Sequence, residues 1–390
     1  MSCQFDTLID RRNTNCKKWD GVLELFGQDN LIPMWIADMD FRPPEEVVKS
    51  VCERAAHGIY GYESRPEEYL EAVTNWLLTR HNWKVSPSWI FHSPGVVSGL
   101  ALAIHAFSKP GDRVLIQCPV YPPFHSVIQD NDRIVAESPL YLEGSKFRMD
   151  FANLEKQFQS GVKLMMLCSP HNPIGRVWTR EELEKLAQLA VKYEVIVLAD
   201  EIWADLTFPG FKHIPLASIS PEIAKQTLTF MAPSKTFNLA GFYLSNVIIS
   251  NPKLQEAYCR QVKRLALNHI NVFGLVASEA AYRVGHKWLN ELLVYLKDNV
   301  RYVIDEMAKI TSQIRIIEPE GTFLLWLDCR DLGIPAEELN SFFVDKARVA
   351  FNDGSVFGSS GRGFQRMNIG CPRIIIQEAL SRIENALSNY

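Results

Sequence analysis

The chain has 390 residues, of which 47% are hydrophobic and 22% charged, a composition that excludes disordered, collagen-like and coiled-coil proteins. A single hydrophobic core stops growing at about 250–300 residues, so the length predicts two domains. The 41 basic and 45 acidic residues give a net charge of −4, which favours neither nucleic acid nor a membrane surface as a partner.

The N-terminal part of the chain contains no long apolar run, and charged side chains begin at Asp6, so the sequence predicts no secretion signal. The longest uncharged stretch, residues 85–108, contains Pro94 and Gly95, which favours a loop followed by a buried helix over a membrane span. The eight cysteines and nine histidines show neither a CxxC pair nor a metal-ligand spacing. We therefore expect free thiols, a cytoplasmic location and no metal site.

Short runs of Val, Ile and Leu predict buried strands in the middle of the chain. They are apolar without interruption, as parallel strands covered on both faces are, and they comprise residues 114–118, 164–168, 195–199, 228–232 and 247–250. Between the second and third runs, Thr179 and Glu182 form a capping box that begins a helix. This alternation predicts an α/β fold with a mostly parallel central sheet and helices on both faces.

The second half of the chain has a different pattern. Helical periodicity extends from residue 251 to about residue 310, and two strand-like runs, residues 314–317 and 322–327, follow it. A helix is predicted to begin at Pro335 and a closing helix at about Ile374, which together indicate a small α+β domain. We predict an N-terminal segment that packs with the small domain, a large domain and a small C-terminal domain, comprising residues 1–45, 46–285 and 286–390.

Polar side chains follow three of the predicted strands. Asn172 lies in SPHNPIG after residues 164–168, Asp200 comes directly after residues 195–199, and Lys235 lies in APSK after residues 228–232. Each alone has an ordinary interpretation, as a turn residue, a helix cap or a solvated loop residue. Ligands in open α/β sheets bind beyond the carboxyl ends of the strands, so together the three predict one site.

This set of residues matches what pyridoxal phosphate requires of a protein. The cofactor needs a lysine for a Schiff base, an acid beside its ring nitrogen and a hydrogen-bond donor to its ring oxygen, which Lys235, Asp200 and Asn172 supply. Residues 93–100 form a glycine turn before an apolar helix, and the first N–H groups of such a helix bind phosphate.

Longer motifs carry a family resemblance. SPHNPIG, ADEIWADL and APSKTFNLAG resemble the signature loops of fold-type I pyridoxal-phosphate enzymes, the aspartate aminotransferase superfamily of classes I and II. MWIADMDF, CPVYPPF and FQRMNIGCPR are similar to the cystathionine β-lyase branch, the carbon–sulfur lyases typified by the maltose-regulon modulator. The resemblance implies β-elimination from L-cystathionine or a related L-cysteine S-conjugate, which yields a thiol, pyruvate and ammonia.

The resemblance also implies a role for individual residues. Lys235 would form the Schiff base and move the proton of the substrate Cα, and Tyr121 would stack on the cofactor ring as a second catalytic residue. Asp200 would pair with the ring nitrogen, and Asn172 would contact the ring oxygen and the substrate carboxylate. Arg366 would bind that carboxylate through its planar fork.

The remaining implied contacts concern the phosphate of the cofactor. The phosphate would be bound by the cofactor-binding residues Gly95, Val96, Val97 and Ser234. Tyr62 would reach the phosphate of a neighbouring subunit, which implies a homodimer with shared active sites.

Three positions distinguish this sequence within the superfamily. Trp203 stands where relatives often have His or Tyr, and its indole N–H can still donate to the ring oxygen of the cofactor. Tyr243 replaces an arginine that many aminotransferases use for the phosphate, which favours the lyase branch. Ala37, in MWIADMDF, is expected to contact the substrate.

Other functions use the same residues or none of them. An aminotransferase of class I or II is the main alternative, since it needs the same lysine, acid and arginine and differs only in where the carbanion is protonated. A regulator that binds a transcription factor through its surface finds no support in the uniform charge. A cofactor-free α/β protein would leave the three strand-end residues unexplained.

Overall fold

The computed structural model describes residues 4–390. Its strands are, in chain order, β1 Ile32–Pro33, β2 Ile90–Ser93, β3 Arg113–Ile116, β4 Ile134–Glu137, β5 Tyr141–Glu143, β6 Lys146–Arg148, β7 Leu164–Cys168, β8 Ile196–Asp200, β9 Thr227–Met231, β10 Ser245–Ile249, β11 Arg315–Ile317, β12 Leu324–Asp328, β13 Val349–Ala350, β14 Asn352–Asp353 and β15 Phe364–Asn368.

The helices alternate with these strands in the first part of the chain and dominate after β10. They are α1 Lys17–Asp20, α2 Val22–Phe26, α3 Glu45–Ala56, α4 Glu67–His81, α5 Val96–Phe107, α6 Pro123–Gln129, α7 Phe151–Gln159, α8 Arg180–Lys192, α9 Pro221–Ala224, α10 Pro233–Thr236, α11 Pro252–Arg264, α12 Val272–Val284, α13 His286–Ile310, α14 Leu339–Ser341 and α15 Arg373–Ser388. Across residues 4–390, none of the helices combines the length and the apolar character that a membrane crossing requires.

A seven-stranded sheet in the order β2-β10-β9-β8-β7-β3-β4 forms the centre of the molecule. Its pairs are parallel except for those of β10, which runs antiparallel to both β2 and β9. The prediction of a mostly parallel sheet is confirmed. The prediction that residues 247–250 form a parallel strand is wrong, because only a short connection without a crossover helix separates β9 from β10.

Strand β7 shows why the sheet is buried on both faces. Leu164, Met166 and Cys168 point into one apolar cluster with residues of α5 and α11, while Met165 and Leu167 point into another with α7 and α8. Side chains alternate between the two faces of a strand, so an uninterrupted apolar run is what a doubly covered strand needs.

Helix α8 begins where the capping box was predicted. The Thr179 hydroxyl accepts a hydrogen bond from Glu182 N at 3.2 Å, and the Glu182 carboxylate accepts one from Thr179 N at 2.8 Å. These two bonds satisfy N–H groups that have no partner within the helix.

A smaller antiparallel sheet, in the order β11-β12-β15-β14, lies in the C-terminal part. Strand β15 is one of its two inner strands, and Arg366 on it pairs with Trp326 and Asn352 of the neighbouring strands. The predicted helix at Pro335 is replaced by a turn in which Glu338 N donates to Pro335 O at 2.9 Å, so that α14 begins only at Leu339.

The N-terminal segment lies against this C-terminal part of the chain. Strand β1 pairs in parallel with β13, with Ile32 opposite Val349, and Met34 N donates to Ala350 O at 2.9 Å. The chain then continues as an extended tract, residues 34–41, that leads to the edge of the large sheet. The three predicted domain boundaries remain a prediction.

Seven cysteines lie within residues 4–390, and all seven are free; Cys3 falls outside the described residues. Four of the seven are buried, and Cys52 is exposed.

Candidate active site

One cavity lies at the edge of the large sheet where β7, β8 and β9 end. Parallel strands bring their carboxyl ends to the same edge, so side chains that are far apart in sequence meet there. Most of the predicted site residues line it, namely Ala37, Gly95, Val96, Val97, Tyr121, Asn172, Asp200, Trp203, Ser234 and Lys235.

Lys235 lies in the short helix α10, directly after β9, and its amine faces the cavity. Its Nζ donates a hydrogen bond to the carbonyl oxygen of Ala37 at 2.6 Å. Burial lowers the pKa of Lys235 to about 8, and the positive charge of Arg366 acts in the same direction against the opposing charges of Asp38 and Asp200. The amine is therefore partly neutral near neutral pH.

Asp200 is the last residue of β8. The sequence had predicted that the strand ends at residue 199 and that Asp200 begins the following loop. Its carboxyl is buried, and among the described residues only Ile202 N donates to it, at 3.1 Å. Burial raises the pKa of Asp200 to about 7, although Lys235 opposes the shift. The second carboxyl oxygen has no donor within residues 4–390, and none of the basic side chains in that range forms an ion pair with this carboxyl.

Arg366 lies behind Asn172 rather than on the cavity wall. Its Nη1 donates to Asn172 Oδ1 at 2.9 Å, and its Nη2 donates to Trp35 O at 2.7 Å and to Asn352 Oδ1 at 2.6 Å. The guanidinium is buried, its Nε has no acceptor, and no carboxylate of the described chain pairs with it. Burial lowers the pKa of Arg366 to about 10, which an anionic ligand would reverse.

Asn172 contacts both Arg366 and the cavity. Its side-chain oxygen accepts from Arg366, and its backbone N–H donates to Cys168 Sγ at 3.4 Å. Within the described part of the chain the side-chain NH₂ has no acceptor, so it is free to donate to a ligand.

Helix α5 begins at the cavity. Gly95 precedes it with φ +88°, a left-handed conformation that a residue with a Cβ rarely adopts. The backbone N–H groups of Val96 and Val97 make no hydrogen bond within residues 4–390. Unpaired N–H groups at the positive end of a helix form an anion site, so the geometry fits the predicted phosphate cradle.

Aromatic rings and a hydroxyl complete the cavity wall. The ring centre of Trp203 lies 5.6 Å from Lys235 Nζ. Burial raises the pKa of the Tyr121 hydroxyl, and the negative charge of Asp200 adds to this effect. Ser234 lies directly before Lys235 and lines the same space.

The tract that contains Ala37 accepts hydrogen bonds from both Arg366 and Lys235, the two cationic residues predicted to bind the substrate carboxylate and the cofactor. Trp35 O accepts from Arg366, Ala37 O accepts from Lys235, and Asn368 Nδ2 donates to the carbonyl of Asp38 at 2.7 Å. The chain thus crosses the cavity mouth with its carbonyl groups turned toward the site.

An ion cluster of four charged side chains anchors this tract: Arg11, Lys18, Asp38 and Asp40. Lys18 and Asp40 are buried, and Lys18 Nζ lies 2.7 Å from an oxygen of Asp40. Arg11 pairs with Asp40 at 2.7 Å and with Asp38 at 2.8 Å. The positive charge of Lys18 and the hydrogen bonds to Asp40 hold the pKa of the Asp40 carboxyl below its usual range despite burial.

Tyr62 lies outside the cavity of its own chain. Its side chain is 90% exposed, and its ring centre lies 5.0 Å from that of His269. Its predicted contact with a second subunit therefore remains a prediction.

Sequence reasoning missed several wall residues. Ser98 and Cys168 could have been found, because Ser98 lies in the first turn of α5 and Cys168 ends β7. Ile202, Ala240 and Leu244 carry no chemical signal. Tyr243 was singled out only for the arginine that it replaces, and it lines the cavity with 69% of its surface exposed.

Known proteins resemble this chain in both sequence and structure. The chain is 40% identical to cystathionine β-lyase PatB of Bacillus subtilis (strain 168) over 385 residues, which cover 98% of this chain and 100% of the relative. The structure superposes on cystalysin from Treponema denticola, which contains pyridoxal 5'-phosphate, with a TM-score of 0.96 and 36% identity over 100% of both chains.

A second solved structure is equally similar in fold. It is a PLP-bound protein from Clostridium difficile 630 to which an aminotransferase activity has been ascribed, with a TM-score of 0.97 and 42% identity over 99% of this chain and 100% of the other. Residues 29–383 match the sequence profile of a single family, described as aminotransferase class I and II. The chain therefore belongs to the aminotransferase class I and II family, as the signature loops predicted.

Proposed function

We propose that this chain is a pyridoxal-phosphate-dependent lyase that cleaves the Cβ–S bond of L-cystathionine or a related L-cysteine S-conjugate and releases a thiol, pyruvate and ammonia. One observation carries the proposal: the amine of Lys235 and the carboxyl of Asp200 line one cavity, the guanidinium of Arg366 lies directly behind Asn172 on its wall, and none of the three has a charged partner among the described residues. The similarity to a cystathionine β-lyase over the whole chain selects this reaction within the family.

The unpaired groups of the cavity fit pyridoxal phosphate part by part. The free oxygen of Asp200 would accept from the ring nitrogen, and the side-chain NH₂ of Asn172 would donate to the ring oxygen. The N–H groups of Val96 and Val97 would bind the phosphate, with Gly95 and Ser234 beside them. Lys235 would hold the cofactor covalently. When bound, the cofactor supplies an electron sink for negative charge on the substrate Cα.

Lys235 moves the proton in the proposed reaction. With a pKa near 8 a useful fraction of its amine is neutral at neutral pH, so Nζ accepts the proton of the substrate Cα. In the cofactor-free chain Nζ donates to Ala37 O at 2.6 Å, which orients the amine toward the cavity. The electron pair left on Cα forms a double bond to Cβ as the Cβ–S bond breaks, and sulfur leaves as a thiolate.

Arg366 and Asn172 orient the substrate. A substrate carboxylate would replace the neutral oxygens of Trp35 and Asn352 at the Arg366 guanidinium and give it the anionic partner that it lacks. Tyr121 and Trp203 line the same cavity, and their rings provide apolar surface beside Lys235.

The test is pyruvate release by the purified holoenzyme from cystathionine with no keto acid added. We expect one pyruvate and one thiol for each substrate consumed. Lys235→Ala is the matched control, since it retains the rest of the cavity and removes the proton acceptor. Activity that requires an added keto acid would overturn the proposal and support an aminotransferase, the alternative that the family membership favours.

We further propose that the active unit is a homodimer in the cytoplasm. Exposed apolar side chains cluster near Tyr62, with Ile59 70% and Tyr60 55% exposed, and such patches mark protein interfaces. Light scattering should give the mass of two chains. Tyr62→Phe should weaken cofactor binding about 10–100-fold, because a hydrogen bond to a charged group is worth about 1.5–3 kcal/mol. A fully active monomer would contradict this.

The domain boundaries belong to the same proposal. We place the N-terminal segment at residues 1–45, the large domain at 46–285 and the small domain at 286–390. The pairing of β1 with β13 supports a segment that packs with the small domain. The free state of the seven described cysteines supports a reducing compartment.

A further inference from the structure

Three ligand-bearing side chains converge outside the cavity. Cys118 follows β3, His125 lies in α6, and Glu137 ends β4. Strands β3 and β4 are parallel neighbours with Ile116 opposite Glu137, and α6 is the crossover between them, so the fold brings the three together. Their Sγ, imidazole nitrogen and carboxylate oxygen all lie within 4.8 Å of one another.

The distances match those between ligands of one tetrahedral ion. His125 Nε2 lies 3.5 Å from Cys118 Sγ and 3.5 Å from Glu137 Oε1. Bond lengths of about 2.0–2.3 Å to zinc at a tetrahedral angle place neighbouring ligand atoms about 3.3–3.8 Å apart. Two edges of the required polyhedron are therefore present without rearrangement of the backbone.

Access and enclosure are also suitable for an ion. The sulfur of Cys118 is buried, whereas the side chains of His125 and Glu137 are 22% and 37% exposed, so an ion can enter from solvent. On the inner side the backbone of Gly358 closes the site. A Cβ at that residue would lie 3.0 Å from Cys118 Sγ, and its φ of +113° also favours glycine.

We propose that Cys118, His125 and Glu137 form a binding site for a divalent cation of the zinc class, with a water molecule as the fourth ligand. A thiolate, a neutral imidazole and a carboxylate suit zinc, and their two negative charges balance the ion. On binding, the Cys118 thiol releases its proton to solvent and the sulfur forms a bond to the metal. No electron transfer occurs.

The site lies on the outer side of the loop that carries Tyr121. Pro119 O accepts from His171 Nε2 at 2.8 Å, next to Asn172, and Val120 N donates to Phe357 O at 2.9 Å. An ion bound by both Cys118 and Glu137 would connect this loop to β4 and would restrict the motion of the segment that carries Tyr121.

The test uses Co²⁺ and Zn²⁺ as probes on the full-length holoenzyme without substrate. We expect Co²⁺ at micromolar concentration to give thiolate charge-transfer and tetrahedral ligand-field absorption at one ion per chain, and Zn²⁺ to displace it. Thermal unfolding should shift upward with Zn²⁺. Cys118→Ser and His125→Ala should each weaken Co²⁺ binding at least tenfold.

Matched controls separate this site from other thiols and imidazoles. Cys52→Ser removes an exposed thiol, and His105→Ala removes an exposed imidazole bound to Asn131; both should bind Co²⁺ as the wild type does. If Cys118→Ser does not fold, His125→Ala decides, since that ring is partly exposed. Binding only at millimolar Co²⁺, or a charge-transfer band that survives His125→Ala, overturns the proposal.

Discussion

Two groups of buried charges lie beside the tract 34–41 and differ in how they are compensated. In the ion cluster, Lys18 and Asp40 meet at 2.7 Å, and the pKa of Asp40 is lowered. In the cavity, Lys235 and Asp200 form no such pair, and burial moves both pKa values toward the neutral forms, to about 8 and about 7. Removal of one member of a buried ion pair leaves an uncompensated charge at high cost, whereas polar groups without a charged partner at a cavity wall are available to bind a ligand.

The largest expected effect separates the two lysines by function. Lys235→Ala should lower kcat for pyruvate release by about 10³-fold or more, since it removes the proton acceptor. It should leave the free energy of unfolding nearly unchanged, because no carboxylate loses a partner. Steady-state kinetics and urea denaturation measure the two quantities. A variant that loses activity only because it unfolds would break the comparison.

Removal of one charge from the ion cluster should have the opposite profile. Asp40→Asn removes the close counter-charge of buried Lys18 and leaves only Asp38, at 3.9 Å, beside it. The upper bound of the cost is about 3–5 kcal/mol of unfolding free energy, the value for a broken buried pair. Urea denaturation measures this loss. Glu256→Gln is the control, because Glu256 and Arg260 form an exposed pair on α11 that is worth at most about 1 kcal/mol. Equal losses in both variants would refute the structural role of the cluster.

A smaller effect is expected at the guanidinium. Arg366→Lys keeps the positive charge but loses the planar fork, so kcat/KM for the amino-acid substrate should fall about 10–100-fold, equivalent to about 1.5–3 kcal/mol. Arg301→Lys is the control, because Arg301 lies on α13 with its side chain 69% exposed. Unchanged kinetics for Arg366→Lys would place the substrate carboxylate elsewhere.

The smallest effect is a difference in pH dependence between the two acids. In protein freed of cofactor, Asp200 has a folded pKa near 7, raised from 3.8, so its contribution to stability is present below pH 3.8 and is lost as the pH rises through 7. Asp40 has a lowered pKa, so its contribution is present above 3.8 and is lost as the pH falls below that value.

Differences between each variant and the wild type isolate these terms. Asp200→Asn should gain stability relative to the wild type between pH 4 and pH 7, and Asp40→Asn should lose its disadvantage toward acidic pH. Urea denaturation from about pH 2 to about pH 8 measures both, because the Asp40 contribution changes only below pH 3.8. Parallel curves for the two variants would show that the acids are not in different electrostatic environments.

The sequence was sufficient to predict the strands because burial on two faces leaves a simple pattern. The run at residues 164–168 is β7 without a shift, while 195–199 and 228–232 are each off by one residue. Burial carries no information on strand direction, and the orientation of β10 was missed for that reason. Pro335 is equally suited to a turn and to the first residue of a helix, and the structure uses it in a turn.

Site residues were predictable where a side chain follows a strand. Lys235, Asp200 and Asn172 were found in this way. The carbonyl acceptors at Trp35 and Ala37 were not, because a backbone carbonyl carries no sequence signal and Trp35 lies 331 positions from Arg366. The convergence of Cys118, His125 and Glu137 was missed as well, since their spacing follows from a strand–helix–strand unit rather than a local motif.

The antiparallel direction of β10 determines where in the sequence some of the site residues occur. Because β9 runs toward the cavity and β10 runs away from it, both ends of the connection at residues 232–244 stay at the same edge. Ser234, Lys235 and Tyr243 therefore reach the cavity from one contiguous stretch. A parallel strand in this position would have required a crossover and would have begun at the opposite edge of the sheet. The antiparallel direction of β10 therefore places these three site residues in one short segment of the chain.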